Sequence, residues 1–204
     1  MVARNIISKP LKTQTFRNTQ KLGEQKTVYK NWGSYIFLPE LIQFSKGDGT
    51  LETRIRFNTI DNINGNVFEL QKENGIKVSY IWGYNKTKHV AKIENIAYSS
   101  IPQSLITSIR NATDVTFQAG PVAGTRLSPW ELNIIRELNA LRNEPVLANA
   151  MITTFTYKPL IGVSTITNPT GIQTTYEYDD QSRLLFVKDI NDNILSENQY
   201  HLKP

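Results

Sequence analysis

Asp189, Asn191 and Asn193 stand two residues apart, a spacing at which alternate side chains of a loop can converge oxygen ligands on a calcium ion. The sixth residue of such a loop should be glycine and is Ile194, and the twelfth is Tyr200 instead of glutamate, so the stretch reads as a turn. His89 and His201 could carry protons or bind a metal, but they fall on separate expected strands with no motif around either. Glu69 and Glu73 could work as acid and base. They lie in or beside an expected strand and turn, where solvated charge is the ordinary explanation. Tyr80, Trp82 and Tyr84 alternate, which puts three rings on one face of an extended segment. Exposed rings stack on pyranose faces, so glycan binding is one reading; packing across a twisted sheet is the preferred one. No catalytic residue, metal ligand or cofactor site is assigned.

Charge narrows the partners. The chain has 204 residues, with 23 Lys and Arg against 18 Asp and Glu, for a net charge of +5. Within the first thirty residues Arg4, Lys9, Lys12, Arg17, Lys21, Lys26 and Lys30 face only Glu24, with Phe16 and Tyr29 between them. Such a mixture could neutralise phosphates and stack on bases. The cations are spread rather than clustered, so solvated strand faces are preferred over a nucleic-acid partner. There is no cysteine, which excludes disulfides and thiolate metal sites and fits either side of a membrane. Mean hydropathy is -0.37, and no apolar run approaches the roughly 20 residues of a membrane helix. Met1-Val-Ala-Arg-Asn5 lacks the apolar core of a signal peptide, so the export signal of an exported protein is expected elsewhere.

The elements that must position these residues are mostly strands with a period of two, broken by tight polar corners. Thr13–Arg17 and Lys26–Lys30 are expected strands joined by a polar link from Asn18 to Gln25. Phe37–Ser45 is followed by the turn Gly47-Asp48-Gly49. In Leu51–Phe57, Leu51, Thr53, Ile55 and Phe57 take one face and Glu52, Arg54 and Arg56 the other. Val67–Gln71 leads to Glu73-Asn74-Gly75, where Asn74 and Gly75 suit the two positive-φ positions of a type I′ turn. Ile76–Tyr84 and Ala91–Asn95 complete this half.

After Ser100 the period becomes helical. Ile101, Leu105, Ile106 and Ile109 recur at helix spacing, with Ser100 before Pro102 as the start. Asp114–Arg126 reads as loop. Ser128-Pro129-Trp130-Glu131 has the serine, proline and glutamate of a capping box, and Ile134, Ile135, Leu138 and Leu141 form an apolar stripe behind it. Residues 100–147 are expected as a helical insertion packed on the sheet, or else one that offers its stripe to a partner. Strand spacing resumes in Met151–Tyr157 and Leu160–Ile166. Asn168-Pro169-Thr170-Gly171 then turns into a last hairpin.

In that hairpin Thr174, Tyr176 and Tyr178 share a face, Asp179-Asp180-Gln181-Ser182 makes the turn, and Leu185 and Val187 return. Gly171, Tyr176, Tyr178-Asp179, Arg183-Leu184 and Asp189 resemble the YD repeat of the Rhs/YD-repeat proteins, a pattern of roughly G-x-x-T-x-Y-x-Y-D-x-x-G-R-L. Ser182 stands where the pattern has glycine, which implies a turn with no need of positive φ there. Ile60 to Val67 is similar to a degraded copy, with Asn62 at the family spacing from Gly65 and Asp61 one residue too far. The run from Tyr80 to Asn95 is similar as well, so the resemblance covers most of residues 4–99 and 151–204. It implies a segment of a large β-shell of tandem hairpins, secreted or displayed at the cell surface. Its partners would be the rest of its own protein, or a bacterial surface or secretion partner met through strand edges. Asn168-Pro169-Thr170-Gly171 is similar in outline to the D-P-x-G-L self-cleavage motif of such shells. Asn168 replaces the aspartate and Ile172 the leucine, and the protease role is not carried over. With so few residues after Asp192, the toxin cargo such proteins often bear is not expected in this stretch.

The expected fold is mainly β, or α+β by content: antiparallel hairpins over residues 1–99 and 148–204 with the insertion at 100–147, in one continuous domain. The expected role is a non-enzymatic scaffold that extends or closes a β-sheet. Binding of a glycan or surface partner through Tyr80, Trp82 and Tyr84 is the alternative. Asn74, Gly75, Gly171, Tyr176, Tyr178, Asp179, Arg183 and Leu184 are the structural residues. Asp179 is expected to cap its own turn and Arg183 to reach a neighbouring carboxylate or carbonyl.

Overall fold

Residues 9–33, 35–114 and 127–200 are described by the computed structural model, and in them the period-two stretches become twelve strands. These are β1 (Lys12–Arg17), β2 (Gln20–Asn31), β3 (Phe37–Lys46), β4 (Glu52–Ile60), β5 (Val67–Lys72), β6 (Lys77–Gly83), β7 (Lys88–Glu94), β8 (Met151–Lys158), β9 (Gly162–Thr167), β10 (Gln173–Tyr178), β11 (Leu184–Lys188) and β12 (Ile194–Glu197). They form one sheet whose order is the order of the chain: short corners make successive strands antiparallel neighbours, and β7 and β8 pair antiparallel across a long connection. Between β7 and β8 lie α1 (Gln103–Thr113) and α2 (Pro129–Arg142). The fold is mainly β with a helical insertion, as periodicity indicated. The chain divides into two compact units, Met1–Ser79 with Asn95–Tyr98, and Tyr80–Glu94 with Ser99–Pro204.

In the first unit the expected link from Asn18 to Gln25 shrinks to a corner at Asn18-Thr19. Gln20 to Lys26 pair back along β1 with a bulge at Leu22, since ladder bonds outweigh the weak strand preference of Gln, Lys and Gly. The basic stretch is partly neutralised. Lys21 lies 2.8 Å from Glu24, and Lys30 lies 3.3 Å from Glu40. On β4, Thr53, Ile55 and Phe57 are half-buried while Glu52, Arg54 and Arg56 are exposed, as the alternation requires. Glu69 is not the solvated charge its position suggested. It is buried, and its carboxylate accepts from the Asn58 amide and the Tyr98 N–H, both at 2.8 Å. Buried carboxylates persist only when bonded in this way. Glu73 does sit at the surface, paired with Arg54.

The core of the second unit is aliphatic. Ile81, Val90 and Ile93 of the sheet, Ile106 and Ile109 of α1, and Ile134, Leu138 and Leu141 of α2 are each almost wholly buried. Each such side chain stabilises the fold by about 1.5–3 kcal/mol relative to exposure. The stripe of α2 therefore faces inward, with Ile135 half-exposed at its margin. The capping box forms as expected: Ser128 Oγ accepts from the Glu131 N–H at 3.2 Å, and Glu131 Oε2 accepts from the Ser128 N–H at 3.0 Å. The other carboxylate oxygen of Glu131 accepts from the buried Ser164 hydroxyl, tying the start of α2 to β9. At the far end Arg142 donates to the carbonyls of Thr167 at 2.6 Å and Asn168 at 2.9 Å. Ser100 does not start α1; it lies in a short 3-10 turn, and Pro102 takes the cap position with no side-chain bond. The Pro102 carbonyl accepts from the N–H groups of Leu105 at 3.1 Å and Ile106 at 3.3 Å, so the first turn closes on backbone. Beyond Asp114 the expected loop lies outside the described residues.

Candidate functional site: repeated corners and their tyrosines

Three successive corners close in one way. At Asp179 the backbone N–H donates to Arg183 O and the Ser182 N–H to Asp179 O, both at 2.9 Å, while Oδ1 accepts from the N–H groups of Gln181 and Arg183. Asp189 does the same with Asn191 and Asn193, and Asn168 with Thr170 and Ile172. The residue three after each acid or amide is left-handed: Ser182 at φ 62°, Asp192 at 70° and Gly171 at 86°. This is the three-residue hairpin loop in which a type I turn ends on a left-handed residue. The Asp189 carboxylate is thus a corner cap, and its second oxygen accepts from the Asn193 amide.

Two expectations about these corners are overturned. Ser182 does adopt positive φ, because Asp179 pins the backbone on both sides of it and leaves no other path. Asn74-Gly75 is not a type I′ turn: only Gly75 is left-handed, at 83°, and the loop closes from the Lys72 N–H to Ile76 O at 2.9 Å. Including Glu73 in the corner lets one glycine supply the whole reversal. At the degraded copy the capping residue is Asp61 and not Asn62. Asp61 Oδ1 accepts from the Ile63 N–H at 2.9 Å, and the loop closes on Asn66 O at 2.7 Å. The extra residue is absorbed in a longer loop, so the acid keeps its place.

The tyrosines repeat with the corners. Tyr157 donates to His89 O at 3.0 Å, Tyr178 to Val163 O at 2.9 Å and Tyr200 to Leu184 O at 2.8 Å. Each bond runs from the end of one hairpin to the strand before it. The three tyrosines stand 21 and 22 residues apart, the length of two strands and two corners. Gly162 is the seat of Tyr178: a Cβ there would collide with the phenol. Tyr176 shares the face of Tyr178 by alternation and is half-buried. Burial, and then the neighbouring Tyr176, raises the phenol of Tyr178 above its ordinary value. Leu184 is half-buried and pairs with Tyr178 across the hairpin; Leu185 is the extra residue where the β11 register shifts. Arg183 does not reach a different carboxylate. Its Nε bonds Asp179 Oδ2 at 2.8 Å, and its guanidinium lies 4.4 Å from the centre of the Tyr200 ring. The spacing of Tyr157 and Tyr200 from Tyr178 is visible in the sequence, but only strand pairing brings their hydroxyls to the preceding strand.

The aromatic trio of β6 separates. Ile81 and Gly83 point toward the helices, and Thr113 would collide with a Cβ on Gly83. Alternation therefore places Tyr80 and Trp82 on the opposite face, where both meet His89 edge-on at 5.9 and 5.8 Å. Phe155 meets the same imidazole at 4.9 Å. Burial, helped by Lys88 and Lys92, pushes His89 below the usual histidine range. Tyr84 lies past the strand end in the left-handed region and packs edge-on between Trp130 and Tyr157. Its hydroxyl accepts from the Tyr157 N–H at 2.8 Å, and burial raises its phenol well above normal. Tyr157, also half-buried, is pushed up to about 12.

No protein-family model matches the chain, and none of the curated proteins matches it.

Proposed function

We propose that this chain is a non-enzymatic scaffold segment of a YD-repeat-like shell or surface protein, extending or closing a β-sheet outside the cell or at its surface. The observation that carries this reading is the 21 to 22 residue interval at which Tyr157, Tyr178 and Tyr200 bond back to the preceding strand. Each interval holds two strands and two corners, a unit that can be added repeatedly to one sheet edge. β12 supports the same reading, for all its residues are exposed and it carries Ile194 and Leu195 into solvent without a charge until Glu197. Such an edge is a template for a further strand. The carboxylates of the corners are spent on backbone N–H groups, which suits architecture better than proton transfer. No described helix is long and apolar enough to cross a membrane. The test is analytical ultracentrifugation with an added peptide of residues 183–200. Association that Leu195→Lys abolishes is expected; a chain that stays monomeric and ignores the peptide overturns the reading.

The half-exposed cluster of Tyr80, Trp82, His89 and Phe155, on the face away from the helices, favours one second reading: a glycan- or surface-partner-binding module. Tyr84 plays no part in it, being packed among other rings. Glycan-array binding lost in Trp82→Ala supports it, and silence of the array removes it.

A further inference from the structure

A cavity of about 860 Å³ opens in the second unit between two hairpin tips and the adjoining helix ends, a size ordinary for small-molecule sites. Its aromatic lining is Tyr84, Trp130 and Tyr157, and the polar atom of each is already bonded to backbone. The Trp130 indole donates to Ala112 O at 3.0 Å, the Tyr157 hydroxyl to His89 O, and the Tyr84 hydroxyl bonds Tyr157. The three rings therefore offer carbon to whatever enters. Leu160 is fully exposed at the mouth, with Ile161 beside it. The charged lining is Lys88, Lys158 and Asp114, and Asp114 Oδ1 accepts from the Asn85 N–H at 2.7 Å and from the Thr113 hydroxyl. Two cations against one committed carboxylate leave the rim positive.

Both hairpin tips that form this rim are tight turns. Tyr84, Asn85 and Lys86 are three consecutive non-glycine residues in the left-handed region, at φ 52°, 53° and 62°, and Leu160 on the opposite tip is left-handed at 63°. The Thr87 N–H closes on Tyr84 O at 3.2 Å, so Asn85 and Lys86 are the two positive-φ residues of a tight hairpin turn, and the Ile161 N–H closes on Lys158 O at 3.1 Å around Leu160. Asp114 Oδ1 accepts from the Asn85 N–H at 2.7 Å and so ties that turn to the end of α1, fixing the rim of the cavity.

We propose that this cavity is a binding site for a small amphipathic anion, an apolar body on the three rings with one carboxylate or sulfonate against Lys88 and Lys158. Aryl and alkyl bodies share this chemistry. The test titrates the intact chain with 4-phenylbutyrate and with decanoate, each beside its neutral amide, following the Trp130 indole N–H by NMR. Saturable shifts are expected, with the acid bound about fivefold more tightly than its amide for a partly exposed charge pair. The better acid identifies the body. Lys88→Gln with Lys158→Gln should bring the acid down to the amide and leave the amide unchanged. Leu160→Asp, at a fully exposed position that spares the fold, should weaken both. Absence of a saturable shift, equal affinity of acid and amide, or indifference to these variants overturns the proposal.

Discussion

Asp179 and Arg183 hold each other twice: Oδ1 accepts from the Arg183 N–H at 2.9 Å, and Oδ2 from its Nε at 2.8 Å. The backbone bond from Arg183 is the main reason the carboxyl lies below the usual aspartate range, with the guanidinium and the Gln181 N–H adding to it. A carboxyl depressed in the fold binds fewer protons there than in the unfolded chain. Its stabilisation is complete above the unfolded pKa, near 4, and disappears as pH falls through the folded value. Asp179→Ala should lower the urea midpoint at neutral pH and flatten its loss in acid, read by far-UV circular dichroism.

Ser182 costs stability where it stands, because an L-residue at φ 62° is strained. Ser182→Gly should raise stability by about 0.5–1 kcal/mol in chemical denaturation, despite the freer unfolded chain. Gly75→Val should lower it by about 1–2 kcal/mol, since Gly75 carries the one positive φ of its corner.

Tyr178 and Gly162 form one unit. Tyr178→Phe removes the bond to Val163 O and should cost about 1 kcal/mol. Gly162→Ala should cost about 1–3 kcal/mol by pushing the phenol aside. In that background Tyr178→Phe should cost less than alone, a non-additivity that a double-mutant cycle measures.

His89 makes stability fall in mild acid. Its folded pKa is depressed, so the unfolded chain takes up the proton first, starting near pH 6.5, and stability drops as pH falls through the folded value. Unfolding midpoints between pH 7.5 and pH 5 should fall, and His89→Gln should remove that part of the slope.

Leu138 tests where the stripe of α2 points. It is 2% exposed, so Leu138→Ala should cost about 2–5 kcal/mol by leaving a cavity. A cost near zero would mean the stripe faces a partner instead.

Local grammar was legible wherever one rule acts over a few residues. The alternation of Leu51 to Phe57, the capping box at Ser128 and Glu131, and the acid-led corners at Asp179 and Asp189 depend only on neighbours in the chain. Misreadings arose where a long-range bond or a loop length decides. Asn74 and Gly75 look like a two-residue turn until pairing draws Glu73 into the corner. Tyr84 looks like a third ring beside Tyr80 and Trp82 until the strand ends at Gly83 and turns it toward Trp130.

Sequence alone determined that this protein is a succession of hairpins with one helical insertion, because side-chain alternation and turn residues act within a few positions of one another. Tertiary structure alone decided that Glu69 is buried, that Ser182 is left-handed, and that Tyr84 leaves the aromatic face for a cavity between two hairpin tips. Those outcomes depend on which strands meet, and contacts such as that of Tyr84 with Tyr157 join residues 73 positions apart, beyond the reach of any local pattern.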